Sequence, residues 1–157
     1  MRLRSRQAIA LLALVGFFIA VYLWLHALGY GGPLKCGTGA CETVQSSAQA
    51  VQLGIPVALY GVVGYLALFV VALIGLRPAA LADRKWSLLL AGLSTVGVVF
   101  TGYLTYLELF VIHAICRWCV GSALVITAIW IVSLLSLRSP ATRIDRGASR
   151  PLPDRPA

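Results

Sequence analysis

Charge is what this sequence lacks. Of its 157 residues, 11% are Asp, Glu, Lys or Arg, while 60% are hydrophobic. A soluble globular domain is about a quarter charged and nearer half apolar, so an ordinary soluble enzyme or binding module is excluded. The charge is also missing in blocks. Residues 8–28, 55–76 and 86–107 contain none of the four charged types, and 115–137 contains Arg117 alone. At about 1.5 Å of rise per residue, each run is long enough to cross a hydrocarbon core of roughly 30 Å. Lipid offers the backbone no hydrogen-bonding partner, so each run is expected to be a helix. No internal repeat is visible. The chain therefore reads as one all-α polytopic domain over 1–137, a bundle of four transmembrane helices, followed by a disordered tail over 138–157 that is rich in Pro and Arg.

The net charge of +8 is placed to set topology, not to bind nucleic acid. With the N-terminus inside, the inside set is Arg2, Arg4, Arg6, Arg77, Arg84, Lys85, Arg138, Arg143, Arg146, Arg150 and Arg155, which is 11 of the 13 basic residues. Lys35 and Arg117 remain outside. The positive-inside rule then predicts that both termini are cytoplasmic. The first run also has the basic start of a signal peptide. Its apolar stretch is too long and its cleavage signal too weak for that reading, and an uncleaved helix is expected.

Cysteine is scarce as well, and its four occurrences form two close pairs, Cys36 with Cys41 and Cys116 with Cys119. On the predicted topology both pairs face the outside, where disulfides persist. Cys36 and Cys41 fall in a glycine-rich first half of the outside loop, which is expected to be mobile. The second half of that loop carries a Ser46-x-x-Gln49 capping pattern, with Ala48, Val51 and Ile55 on one helical face. That predicts a short amphipathic helix over the bundle mouth, with Gly54 closing it and Pro56 starting the next helix.

Cys116-Arg117-Trp118-Cys119 is a CxxC at a predicted helix N-terminus, where the helix dipole and Arg117 favour the reactive thiolate. Two dithiol pairs on one side of a bundle suit an electron relay, an outer pair meeting a soluble thiol protein and an inner pair meeting a lipid-soluble acceptor. Static disulfides and a four-cysteine zinc site are the alternatives. His26 and His113 lie near outside helix ends; haem ligation is the alternative to an interfacial role. Phe100, Tyr103, Leu104 and Leu107 share a face of the third helix that suits helix packing or an apolar pocket. Gly61, Gly64, Gly92, Gly97 and Gly102 suit close helix approach. Glu108 reads as a solvated turn residue between the third and fourth helices, with proton handling as the other role open to it.

Cys36, then Cys41-Glu42-Thr43-Val44-Gln45-Ser46-Ser47, Gly54-Ile55-Pro56 with Gly61, and the segment from Tyr103-Leu104 to Cys116-Arg117-Trp118-Cys119 resemble the vitamin K epoxide reductase family over roughly 8–137. The resemblance implies a quinone-dependent thiol–disulfide oxidoreductase of a bacterial inner membrane. The catalytic residues would be Cys36, Cys41, Cys116 and Cys119. Cys36 would face the partner, Cys41 would exchange with Cys116, and Cys119 would reduce the quinone, with Ser47 in support. Val57, Phe100, Tyr103 and Ala123 are the implied quinone neighbours. Vertebrate relatives carry Asn at the position of Val57 and Tyr at that of Ala123, which argues for plain quinone (menaquinone, ubiquinone or phylloquinone) in place of an epoxide. No thioredoxin-like domain follows the bundle, so the resemblance implies a thioredoxin-fold partner in trans, no metal and no nucleic acid. The alternative is a membrane scaffold with structural disulfides.

Overall fold

A computed structural model describes residues 2–30, 32 and 40–138. The glycine-rich stretch with Cys36 and the tail from residue 139 lie outside the described residues. Four long helices dominate. They are α1 (Arg2–Ala27), α3 (Val57–Ile74), α5 (Arg84–Leu107) and α6 (Arg117–Arg138), with two short helices, α2 (Ala40–Gln45) and α4 (Pro78–Ala82), between them. The spans Leu3–Ala27, Val57–Ile74, Arg84–Ile112 and Arg117–Arg138 are long and apolar enough to cross a membrane, with mean hydropathies of 2.6, 2.5, 1.7 and 2.2. Their outward faces keep large apolar side chains exposed, among them Leu11, Phe18, Val63, Val96 and Leu124. In water that would be an aggregation surface; in a bilayer it is the lipid contact.

Helix α1 packs against both α3 and α6, and α6 packs against α5, while α3 and α5 touch least of these four neighbouring pairs. Small residues set the close seams. A Cβ at Gly16 would overlap the Tyr65 ring, and one at Gly97 would sit 2.9 Å from Ile126. Gly61 meets Ala20, whereas Gly64, Gly92 and Gly102 have open space beside them, so close approach explains only two of the five glycines expected to provide it. The bundle core is built from Ile9, Ala13, Tyr65, Leu68, Leu90 and Ile129. The Tyr65 hydroxyl donates to the Ser122 carbonyl at 2.8 Å within it, and on the exposed side of the bundle the Trp130 indole N–H donates to Thr95 Oγ1 at 2.9 Å, tying α6 to α5.

The loop between α1 and α3 carries its short helix earlier than expected. In α2, Cys41 and Val44 are buried three residues apart, and Glu42 sits favourably in the first turn. Where the amphipathic helix was expected, a single 3₁₀ turn (Ala48–Ala50) leads into a hairpin of β1 (Val51–Gln52) and β2 (Ile55–Pro56). The capping pattern is not used. Ser46 Oγ bonds back to the Glu42 carbonyl at 2.8 Å, closing the end of α2. Gly54 serves as the second residue of the hairpin turn, with Leu53 and Gly54 at φ of +54° and +79°, a two-residue turn that matches strand twist. Pro56 then caps α3.

At the opposite end, Arg6 is fully buried. Its guanidinium donates to the carbonyls of Gly75 and Ala80, and to Ser87 Oγ at 3.2 Å. One side chain of α1 thus ties the end of α3, the loop helix α4 and the start of α5. Asp83 caps α5 by accepting from the Lys85 N–H at 2.9 Å. Arg6→Ala is expected to leave these buried acceptors without a donor and to cost about 2–4 kcal/mol. A lowered Tm in detergent checks this. Lys should restore little of it, since a single ammonium cannot reproduce the fork.

Candidate functional site

The site is a second buried cluster at the mouth of the bundle, formed by Leu23 of α1, Cys41 and Val44 of α2, and Cys116, with Ile112, Ala114, Trp118 and Cys119 packed on it. Helix α2 is held there because its Cys41 and Val44 are the apolar stripe of an otherwise polar turn. Cys41 and Cys116 both have 0% exposure. Cys41 is disulfide-bonded, whereas Cys116 and Cys119 are free thiols.

The chain reaches Cys116 through an unusual connection. After Leu107, helix α5 widens into a π turn over Glu108–Ile112, and His113 closes it at φ +55°. The Ala114 N–H returns to the Glu108 carbonyl at 3.1 Å. Turns of this kind inside helices accompany functional sites. The turn brings the chain back over Glu108, which is 5% exposed. The solvated role expected for it is therefore corrected: a charge at the end of an apolar run reads as solvent-facing, but Glu108 continues the inward stripe of Leu90, Ser94, Gly97, Thr101 and Leu104. Its Oε2 accepts the Cys116 N–H at 3.2 Å, and its carboxyl also hydrogen-bonds the Cys119 thiol.

Cys116 stands immediately before α6 and accepts the Val120 N–H on its carbonyl at 3.0 Å. Its thiol is held from an ordinary 9.0 down to about 7, first because the Cys119 thiol hydrogen-bonds its sulfur, then because the Cys119 and Trp118 N–H groups do. Burial and the Glu108 charge oppose this without cancelling it. Trp118 is set against Tyr22 of α1, ring centroids 5.0 Å apart. A titration follows. In reduced protein lacking Cys36 and Cys41, thiolate absorbance should rise with a midpoint near pH 7. In Cys119→Ala the midpoint should move up towards the ordinary thiol value, because the hydrogen bond that lowers it most is gone.

Behind the cysteines lies a cavity of about 390 Å³ between α3 and α5, the neighbouring helices that touch least. Cys119, Glu108, Val57, Phe100, Leu104 and Ser47 are among its walls. A volume in the range of about 300–1,000 Å³ with mostly apolar walls and a few polar groups is that of a small-molecule site. Gly64 also lines it, which accounts for the open space beside that glycine. Tyr60 and Phe100 face each other across it, centroids 5.9 Å apart. Ser47 donates to the Val44 carbonyl at 2.7 Å while facing the cavity. Tyr103 belongs instead to a shallow outer depression with Val96 and Val99, and Ala123 is not among the cavity residues, although its neighbour Ser122 is. Sequence reasoning missed Tyr60, Thr101 and Ser122 as cavity residues. Tyr60 lies one helical turn after the expected Val57 and Thr101 directly follows the expected Phe100, and nothing in their type marks them.

Fold and site together define a multi-pass membrane protein with a buried CxxC thiol centre beside an apolar cavity. The model of the vitamin K epoxide reductase family matches residues 7–134, most of the chain, and the chain belongs to that family. It is accordingly a membrane oxidoreductase.

Proposed function

We propose that the protein is a quinone-dependent thiol oxidase. A reduced thioredoxin-fold protein on the extracytoplasmic side gives electrons to Cys36 and Cys41. Thiol–disulfide exchange between Cys41 and Cys116 passes them to the Cys116–Cys119 pair, and Cys119 passes them to quinone in the cavity. Exported proteins thereby gain disulfides. The protein would sit in a bacterial inner membrane with both termini cytoplasmic, which the distribution of basic residues favours.

The observation that carries this reading is the sharing of one buried cluster by Cys41 and Cys116, with Cys119 on the wall of the apolar cavity. A relay needs contact between its two stations and access from the second station to the acceptor; this arrangement supplies both. The lowered Cys116 thiol makes Cys116 a good leaving thiolate in its exchange with Cys41 and leaves it ionised to close the bond to Cys119 afterwards. Purified wild-type protein in detergent, given DTT, should reduce menaquinone, ubiquinone or phylloquinone to quinol. Folded protein that reduces none of the three returns the cysteines to a structural role.

A further inference from the structure

Reduction of a quinone to a quinol consumes two electrons and two protons, and the cavity must deliver both kinds of particle. The cysteines account for the electrons. Among the described residues lining the cavity there is one carboxyl group, Glu108, and no His, Lys or Arg. The remaining titratable groups on its walls are Cys119 and the phenols of Tyr60 and Tyr65, and a phenol, ordinarily near 10, holds its proton too tightly to relay it at neutral pH. A carboxyl group within a membrane-spanning segment is costly, and such residues mark function by default. Glu108 is also held in a fixed position. Its place on the cavity face of α5, in register with Thr101 and Leu104, aims it inward, and the Cys116 N–H binds Oε2 at 3.2 Å. The Cys119 thiol lies between two acceptors, the Cys116 sulfur and the Glu108 carboxyl.

We propose that Glu108 is the catalytic proton relay of this site, taking the thiol proton of Cys119 as that sulfur reacts and passing it to a quinone oxygen in the cavity. The inference rests on the quinone-reducing function proposed above. The step balances as follows. The Cys119 proton moves to Glu108 Oε, and the Cys119 sulfur gives up an electron pair to the quinone. The Cys116 thiolate attacks the Cys119 sulfur and the Cys116–Cys119 bond forms. The quinone gains that electron pair and two protons, one through Glu108 and one equivalent to the proton already released from Cys116. The two thiols are oxidised to a disulfide and Glu108 is returned as a carboxylate.

Glu108→Gln separates this role from a positional one. The Gln side-chain carbonyl can still accept the Cys116 N–H but cannot carry a proton. Pre-reduced protein is mixed with quinone in a single turnover, and reduction of its Cys116–Cys119 disulfide by DTT is followed in parallel. For Glu108→Gln, quinol formation is expected to slow by about 100-fold or more, while DTT exchange changes by about threefold at most, in the direction set by losing a charge that opposes the Cys116 thiolate. Glu108→Asp, with its carboxyl on a shorter stem, should recover at least about tenfold over Gln. Quinol formation by Glu108→Gln within about threefold of wild type overturns the proposal. So does an equal loss of both reactions, the mark of a residue that only holds the backbone of Cys116, and so do Asp and Gln variants that are equally slow. Wild-type protein that reduces no quinone removes the underlying function instead, and that result is read from the wild-type arm alone.

Discussion

Replacing Cys119 with Ala is expected to end DTT-driven quinone reduction, to below about 10⁻⁴ of the wild-type rate, the scale on which removal of an attacking group acts. The argument is one of place. Cys119 is the cysteine that lines the cavity, while Cys116 is fully buried beneath α2. An acceptor in the cavity therefore meets the sulfur of Cys119 and not that of Cys116. Cys116→Ala is expected to fall as far in turnover for a different reason: Cys119 then has no resolving partner, and the electron pair cannot be released as a disulfide. The two variants should part in a single measurement. Quinone bound to reduced Cys116→Ala still meets a cavity thiol, so any spectroscopic interaction between thiolate and quinone should survive there and vanish in Cys119→Ala. Loss of that signal in Cys116→Ala, with retention in Cys119→Ala, would reverse the assignment. Both variants remove one sulfur atom from a packed cluster, at a cost of about 1 kcal/mol, so loss of the fold does not account for an effect of this size.

The four spans were legible because a bilayer imposes a length and a composition that few other environments ask for. Val57–Ile74 and Arg117–Arg138 lie within a few residues of the apolar runs that announced them. The third span ends later than its run implies, at Ile112, because a π turn continues the helix past a charged residue. Glu108 keeps the helical register of the inward-facing Thr101 and Leu104, but nothing in Glu108–Ile112 encodes the turn that brings Cys116 back to it. The CxxC was legible because its spacing and its position at a helix start are local properties. Its neighbours were not. Glu108 is eight residues from Cys116 and meets it only through the turn, and Leu23 comes from the far end of α1.

The loop helix shows a second limit. Ala48, Val51 and Ile55 have helical spacing, and so do Cys41 and Val44. The sequence alone does not rank the two stripes. Tertiary packing does: Cys41 and Val44 bury against Leu23 and Cys116, whereas Val51 and Ile55 stay 50% and 39% exposed in a hairpin. Arg6 illustrates a third. Among the basic residues of the N-terminal segment it is indistinguishable from Arg2 and Arg4 by type, and all three read as topology signals. Only the approach of Gly75, Ala80 and Ser87 to one point makes Arg6 a structural tie.

Cys41→Ala provides the sharpest test of a two-station relay, because it should divide one activity into two. Turnover driven by a reduced thioredoxin-fold protein is expected to drop to background, about 10³-fold or more, since exchange needs a thiolate at the point of attack. A folded partner is too large to reach Cys116, which has no exposed surface under α2. DTT is small, and it reaches the inner pair directly. Removing the Cys41 sulfur uncovers the cluster in which Cys116 is buried, so DTT-driven quinone reduction should persist within about threefold of wild type and can exceed it. Cys36→Ala should behave the same way with the protein partner. The measurement is a pair of rates on one preparation, partner-driven and DTT-driven, which cancels differences in the amount of folded protein. Equal loss in both rates would mean that the loop cysteines hold the inner site together and carry no electrons. Unchanged partner-driven turnover would mean that the partner reaches Cys116 without them. The split result alone requires two stations in series, one that faces a protein and one that faces the membrane.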